Sequence, residues 1–212
     1  SATSFAVRPP PAFFSTIASF AALSSAPTSS LLRLPPLSVF SASAAALLHT
    51  AARGLVPATA PPRTRLVAHV VIDGDTWIGE ECELFPFCSI GTTPQDKKLK
   101  SNGEPARLRI GKNNRIREHV TIHGGTPFGG GTTALGDNNM LLVGAHIGHD
   151  ATVGSNVVFT NGAMAAGHTE IGDRAILGAM VGIHQFARVG KLAMVGAGAM
   201  VSHDAPPFAM IQ

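Results

Sequence analysis

The chain has no acidic residue before Asp73. Five arginines (Arg8, Arg33, Arg53, Arg63 and Arg65), no lysine and long runs of Ser, Ala and Pro occupy that stretch. An acid-free, Arg-containing, Ser-rich start has the composition of an organellar transit segment, so residues 1–65 are set aside from the fold. A disordered tail has the same composition. Setting the stretch aside relocates the charge. The whole chain carries 16 basic and 13 acidic residues, net +3. Without the five early arginines, 11 basic residues face 13 acidic ones. The high pI therefore belongs to the start and gives no argument for nucleic acid binding.

Cysteine is nearly missing. Cys82 and Cys88 are the only two, in neither a CxxC nor a disulfide-rich pattern, which excludes a disulfide scaffold and fits a reducing compartment. No apolar run approaches the length of a membrane span.

What the chain does have is a period of six. Leu135, Leu141, Ile147, Val153, Phe159, Ala165, Ile171, Leu177, Ile183, Val189, Val195 and Val201 are evenly spaced. Eight of them precede Gly or Ala directly. The period begins earlier at Ile72, Ile78, Leu84 and Ile90 and resumes at Ile110, Ile116 and Ile122. It is neither helical nor alternating and predicts an all-β fold, a parallel β-helix of hexapeptide turns. Three hexads make an eighteen-residue coil, with the apolar residue inward and the small residue after it expected to turn the corner. Thr92–Leu108 and Gly124–Thr133 break the period and are expected to leave the coil as loops that supply a binding surface. Pro206 and Pro207 are expected to end it.

His149 follows Ile147 by two residues, His168 follows Ala165 by three, and His184 follows Ile183 by one. Those three inward residues are eighteen apart, so the imidazoles are expected along one edge within about 10 Å, at a coil spacing of about 4.8 Å. His146 lies beside them. His149-Asp150 suits a general base oriented by a carboxylate. A competing reading is zinc bound by His119/His123 or His146/His149, as in a γ-class carbonic anhydrase-like protein. Lys97, Lys98, Lys100, Arg107, Arg109, Lys112, Arg115 and Arg117 cluster with only Glu104 among them. This suits a phosphorylated substrate or an acidic carrier protein, or a solvated coil edge.

Several segments then occur in order: Gln95-Asp96, Gly103-Glu104-Pro105, Arg115-Ile116-Arg117-Glu118, His119-Val120-Thr121-Ile122-His123, Ala145-His146-Ile147-Gly148-His149-Asp150, Ala166-Gly167-His168, His184-Gln185-Phe186 and Asp204-Ala205-Pro206-Pro207. Together, over residues 66–212, they closely resemble the UDP-N-acetylglucosamine O-acyltransferases that begin lipid A synthesis. The resemblance implies a left-handed parallel β-helix and a homotrimer with sites between subunits. The implied reaction moves an (R)-3-hydroxyacyl group from acyl carrier protein to the glucosamine 3-hydroxyl, with the acyl thioester as co-substrate and no cofactor or metal. By the same resemblance His149 is the base with Asp150 beside it, and the Gly167 N–H stabilises the oxyanion. His146, His168, His184, Gln185, Gln95, Asp96 and Lys98 contact substrate, and Ala197 sets acyl-chain length. The family has further coils before residue 66, then nucleotide-phosphate contacts and a helical domain beyond Gln212, so a β-helix shortened at both ends and without the helical domain is expected. The transit-like start resembles the plant mitochondrial type, with plastid import the alternative. A catalytically impaired subunit serving as a scaffold is the other functional reading.

Overall fold

The computed structural model describes residues 63–99 and 107–212. Residues 1–62 of the transit-like segment, together with Lys100, Gly103, Glu104 and Pro105, lie outside the described residues.

Strands of two to four residues form three parallel sheets of eight, seven and six strands, and consecutive strands fall on different sheets. The result is a left-handed parallel β-helix of triangular cross-section. The first face runs from Arg65–Leu66 to Met210–Ile211, the second from Val71–Ile72 to Met200–Val201, and the third from Asp75–Ile78 to Arg188–Val189. Each two-residue strand turns its second side chain inward. Leu141, Ile147, Phe159, Ala165 and Leu177 are fully buried there, so the six-residue apolar period is the core.

The corner chemistry differs from the sequence expectation. The chain turns at the third residue after each inward one, where Asn138, Asp150, Asn156, His168, Arg174, Met180, Phe186 and Leu192 hold φ between 57° and 66°. The small residue directly after the inward position has another purpose. A Cβ on Gly148 would lie 2.6 Å from the Gly167 nitrogen, and one on Gly178 would lie 2.5 Å from that of Ala197. Glycine there lets one coil sit on the next.

Strand pairing fixes where the coil is interrupted. Met140 pairs with Val158, eighteen residues on. Ser89 pairs with Thr121 and Thr121 with His146, offsets of 32 and 25. Two excursions absorb the excess, but they are shorter than expected: Arg107–Ile110 and Thr132–Leu135 are strands of the third face. The prolines do not end the coil either. Ala205 bridges to Val189, and Met210–Ile211 pairs with Met194–Val195. In the coil below, Gly190 N–H donates upward to Ala205 O. The equivalent N–H of residue 206 would point away from that coil, so proline there costs no bond to it.

The basic cluster is dispersed. Arg107 and Arg109 stand on the third face with Asp75, the latter bidentate at 2.9 and 3.0 Å, and Arg109 in turn holds the Asp75 carboxyl below its ordinary value. Arg115 stands on the first face against Glu83, while Arg117 pairs with Glu118 and covers the Phe85 ring. Neighbouring acids answer much of this charge, so the residues do not form one unbroken electropositive patch.

Candidate active site

One corner of the coil carries His123, His146, His149, His168 and His184. Where the second face meets it, residues directly after the inward position form a floor: His123, Gly148, Ala166, His184 and Ser202. Gly148 and Ala166 are small, and their lack of bulk opens a groove of about 460 Å³ between the flanking side chains. One wall is the outward row of the second face, His146, Met164, Gly182 and Met200. The other is His149, Gly167 and Gln185, and Gln95 reaches the rim from the first excursion.

His149 is buried, and its Nδ1 lies 2.9 Å from Asp150 Oδ2. An ionised carboxylate only accepts, so that pairing assigns the proton to Nδ1 and leaves Nε2 a free lone pair on the groove side. The Asp150 side chain is 1% exposed. Its Oδ1 accepts from Thr126 N–H at 2.9 Å and its Oδ2 from the Thr126 hydroxyl at 2.6 Å. Asp150 N–H in turn donates to Thr133 Oγ1 at 2.8 Å. Gly167 presses against the His149 ring, so that a Cβ on it would lie 2.7 Å from both Cε1 and Nε2. Its N–H has no acceptor among the described residues, which leaves a donor free beside the imidazole.

The remaining expected residues divide. His146 Nδ1 lies 2.7 Å from Thr121 Oγ1, and its ring meets His123 edge-on at 4.9 Å. His168 meets His149 edge-on at 5.0 Å. His184 does not join that column, because residues one, two and three past the inward position occupy different parts of the corner. Phe186 holds the place above His168 and stacks on it at 4.6 Å. His184 and Gln185 still line the groove, and His184 Nδ1 donates to Gln185 O at 3.1 Å. Asp96 accepts the Lys98 N–H at 2.8 Å, and both residues stand beside Gln95 without lining the groove. Ala197 is exposed at the turn after Met194–Val195, also away from the groove lining.

Sequence reasoning passed over His123 as a groove residue, and Thr126 and Thr133 altogether. Burial, then the nearby His146 and His149 imidazoles, pushes His123 down to about 4; burial, then His149, lowers His146. Both are therefore neutral near pH 7 and offer one donor and one acceptor each.

Neither histidine pair of the competing zinc reading converges. His119 stacks on Phe87 at a different corner, and His146 turns to Thr121 while His149 turns to Asp150. Among the described residues, His149, Asp150 and His168 form the one group of three with metal-ligand atoms close together. Its carboxylate already accepts three hydrogen bonds, and its Oδ2 lies 3.9 Å from His168 Nε2. The arrangement fits an oriented base better than a metal centre.

No protein-family model matches the chain. Solved structures do. LpxA from Acinetobacter baumannii matches with 43% identity over 69% of this chain and 56% of its own length, at a TM-score of 0.68. LpxA of Bacteroides fragilis, described as a UDP-N-acetylglucosamine acyltransferase, matches with 41% identity over 69% and 56%, at 0.67. An Arabidopsis UDP-N-acetylglucosamine acyltransferase matches with 29% identity over 69% and 58%, at 0.62. The chain thus spans a little over half the length of each of these relatives.

Proposed function

Because the β-helix of this chain belongs to the UDP-N-acetylglucosamine acyltransferase family, we propose that it transfers an (R)-3-hydroxyacyl group from acyl carrier protein to the 3-hydroxyl of UDP-N-acetylglucosamine, the opening step of lipid A synthesis. The observation that carries the proposal is the His149 imidazole, oriented by Asp150 at 2.9 Å, beside a groove with His149, Gly167 and Gln185 on one wall and His146, Met164, Gly182 and Met200 on the other.

In this reading Nε2 of His149 removes the proton of the sugar hydroxyl as that oxygen attacks the thioester carbonyl. The negative charge forming on the carbonyl oxygen is met by the Gly167 N–H. Collapse of the tetrahedral intermediate breaks the C–S bond, and the imidazolium returns its proton to the departing thiolate. Asp150 keeps the ring in one tautomer and stabilises its charged form. Neutral His123 and His146, with Gln95, His184 and Gln185, supply hydrogen bonds to the sugar nucleotide, and His168 packs behind the dyad. Asp96 and Lys98 extend the polar rim. The acyl chain follows the apolar wall of Met164, Gly182 and Met200. No metal or cofactor enters this scheme.

The proposal includes a homotrimer with sites between copies. Ile176, Met194 and Met210 are exposed on the first face and Met164 and Met200 on the second, while Asp75, Arg109, Glu170 and Arg188 mark the third. Light scattering coupled to size exclusion tests that assembly. It also includes mitochondrial delivery by the acid-free start, tested by import of residues 1–65 fused to a reporter. The decisive experiment for the reaction is His149→Ala assayed with acyl carrier protein thioesters and UDP-N-acetylglucosamine. Transfer is expected to vanish, and retained turnover in the folded variant would sink the assignment.

A further inference from the structure

The second excursion does not open outward as a binding loop; it folds back on the dyad. Gly124, Gly125 and Thr126 are buried. Gly124 N–H donates to Thr92 O at 3.2 Å and Gly125 N–H to Arg107 O at 2.9 Å, which ties the excursion to both ends of the first one. The Thr126 carbonyl then accepts from Gly129 N–H at 3.1 Å and Gly131 N–H at 2.9 Å, closing the loop on itself. Gly129 is pressed so close to Asp150 and His168 that a Cβ there would run into the carboxylate and the ring. Gly130 and Gly131 hold φ of 107° and 80°, with open space where side chains would be, so their glycines serve the backbone turn.

At the centre of this closure Thr126 holds both oxygens of Asp150. Its hydroxyl bond, at 2.6 Å, falls on Oδ2, the same oxygen that accepts the hydrogen bond of His149 Nδ1–H. Its N–H bond, at 2.9 Å, falls on Oδ1. Two bonds from one residue fix the carboxylate plane, and that plane fixes the direction in which Oδ2 accepts from Nδ1. With its side chain 1% exposed, Asp150 has almost no access to water that would replace either bond. We propose that Thr126 is a positioning residue for the proposed acyl transfer, acting on His149 through Asp150. The excursion Gly124–Gly131 is thereby the element that holds the base in its productive tautomer and direction.

This inference rests on the acyltransferase reading for its kinetic consequence but not for its geometric one, and the test separates the two. Thr126→Val keeps the size and the main-chain bond and removes the hydroxyl. Thr126→Ser keeps both bonds. With acyl carrier protein thioester and UDP-N-acetylglucosamine, Thr126→Val is expected to lower kcat by roughly ten- to a hundredfold, the effect of one charge-assisted hydrogen bond, with KM for either substrate held within about twofold. Thr126→Ser is expected to restore kcat. An equal rise in KM with kcat unchanged, or a Thr126→Val enzyme as fast as the parent, would overturn the proposal.

Nuclear magnetic resonance of protein carrying ¹⁵N-histidine supplies the activity-independent arm. The downfield His149 Nδ1–H resonance is expected in the parent and in Thr126→Ser and to be broadened or lost in Thr126→Val. If that pattern holds while the parent shows no transfer, the positioning role stands and the assignment of the reaction fails. If the resonance is unchanged in a folded Thr126→Val, Thr126 does not position the dyad. Circular dichroism of each variant identifies a collapse of the coil, for which Thr126→Ser is the folded comparison.

Discussion

Gly167→Ala puts the smallest possible probe against the proposed base. The added methyl would lie 2.7 Å from Cε1 and Nε2 of His149 and 3.2 Å from Cδ2. Carbon contacts are comfortable at about 3.5–4.0 Å, so the ring must retreat by roughly 1 Å. It cannot retreat freely, because Nδ1 is held at 2.9 Å by a carboxylate that Thr126 clamps. The backbone is not the obstacle, since Gly167 is absent from the positive-φ glycines. A displacement of that size at a reacting nitrogen costs on the order of a hundredfold in rate, equivalent to about 2.7 kcal/mol of barrier. Overpacking adds a loss of about 1–3 kcal/mol in stability. The paired control is Gly144→Ala, where φ is 71° and a Cβ would meet nothing within 4 Å. There the left-handed backbone alone is tested, at about 1–2 kcal/mol, with kcat retained. Steady-state transfer assays and thermal melts of both variants decide the matter. If Gly167→Ala melts normally and turns over within about twofold of the parent, the close approach of residue 167 to the base has no bearing on catalysis.

Acid is expected to weaken the fold through the buried His123 and half-buried His146 imidazoles. An unfolded histidine takes up its proton near 6.5, whereas folded His123 resists until about 4 and folded His146 also lies below its ordinary value. Between those limits the unfolded chain binds more protons, so this stability is fully present above about pH 6.5 and is lost as pH falls through about 4. Melting temperatures between pH 7 and pH 4 should therefore fall, and His123→Asn should flatten the slope; an equal slope in that variant would remove His123 from the account. Met200→Ala addresses the apolar wall, where the Met200 Sδ and Cε lie over Gly182 within 2.7–2.8 Å of the site a Cβ would take. Assayed with thioesters of graded length, the variant is expected to favour longer acyl chains, and an unchanged profile would place the chain elsewhere. Ala197→Gly in the same series tests the position that family resemblance marks for chain length.

The inward residues were legible because the period repeats without interruption from Leu135 to Val201, and each step of six returns a buried position. The two physical roles around each corner were not separable by periodicity. A glycine after the inward residue and a residue at positive φ two places later recur with the same spacing, so the pattern alone does not say which one turns the chain. Arg174, Met180 and Leu192 take the left-handed turn without being glycine or asparagine. Local propensity disfavours them there, and the stacked coils hold them through bonds such as Arg174 N–H to Ser155 O and Leu192 N–H to Asp173 O. That information is tertiary. The dispersal of the arginines was hidden for a related reason: neighbours in sequence, Arg109 and Arg115, fall on different faces and meet different acids.

The site was half legible, and the missing half lies on the near side of an excursion. Period counting relates residues only within an unbroken run. His149, His168 and His184 share such a run, whereas His123 is separated from it by the second excursion. Pairing of Ile122 with Ile147 shows that the phase must be restarted there. Once it is, His123 occupies the same place after its inward residue as Gly148, Ala166 and His184. The groove then has an imidazole near each end of a floor whose middle is kept low by a glycine and an alanine. Thr126 was beyond this reach as well, because a residue inside an excursion has no phase at all. Its position depends on the main-chain bonds of Gly124 and Gly125 to Thr92 and Arg107. The residue that clamps the Asp150 carboxylate is therefore one a repeat pattern is least able to reveal, since an interruption of the repeat is what brings it there.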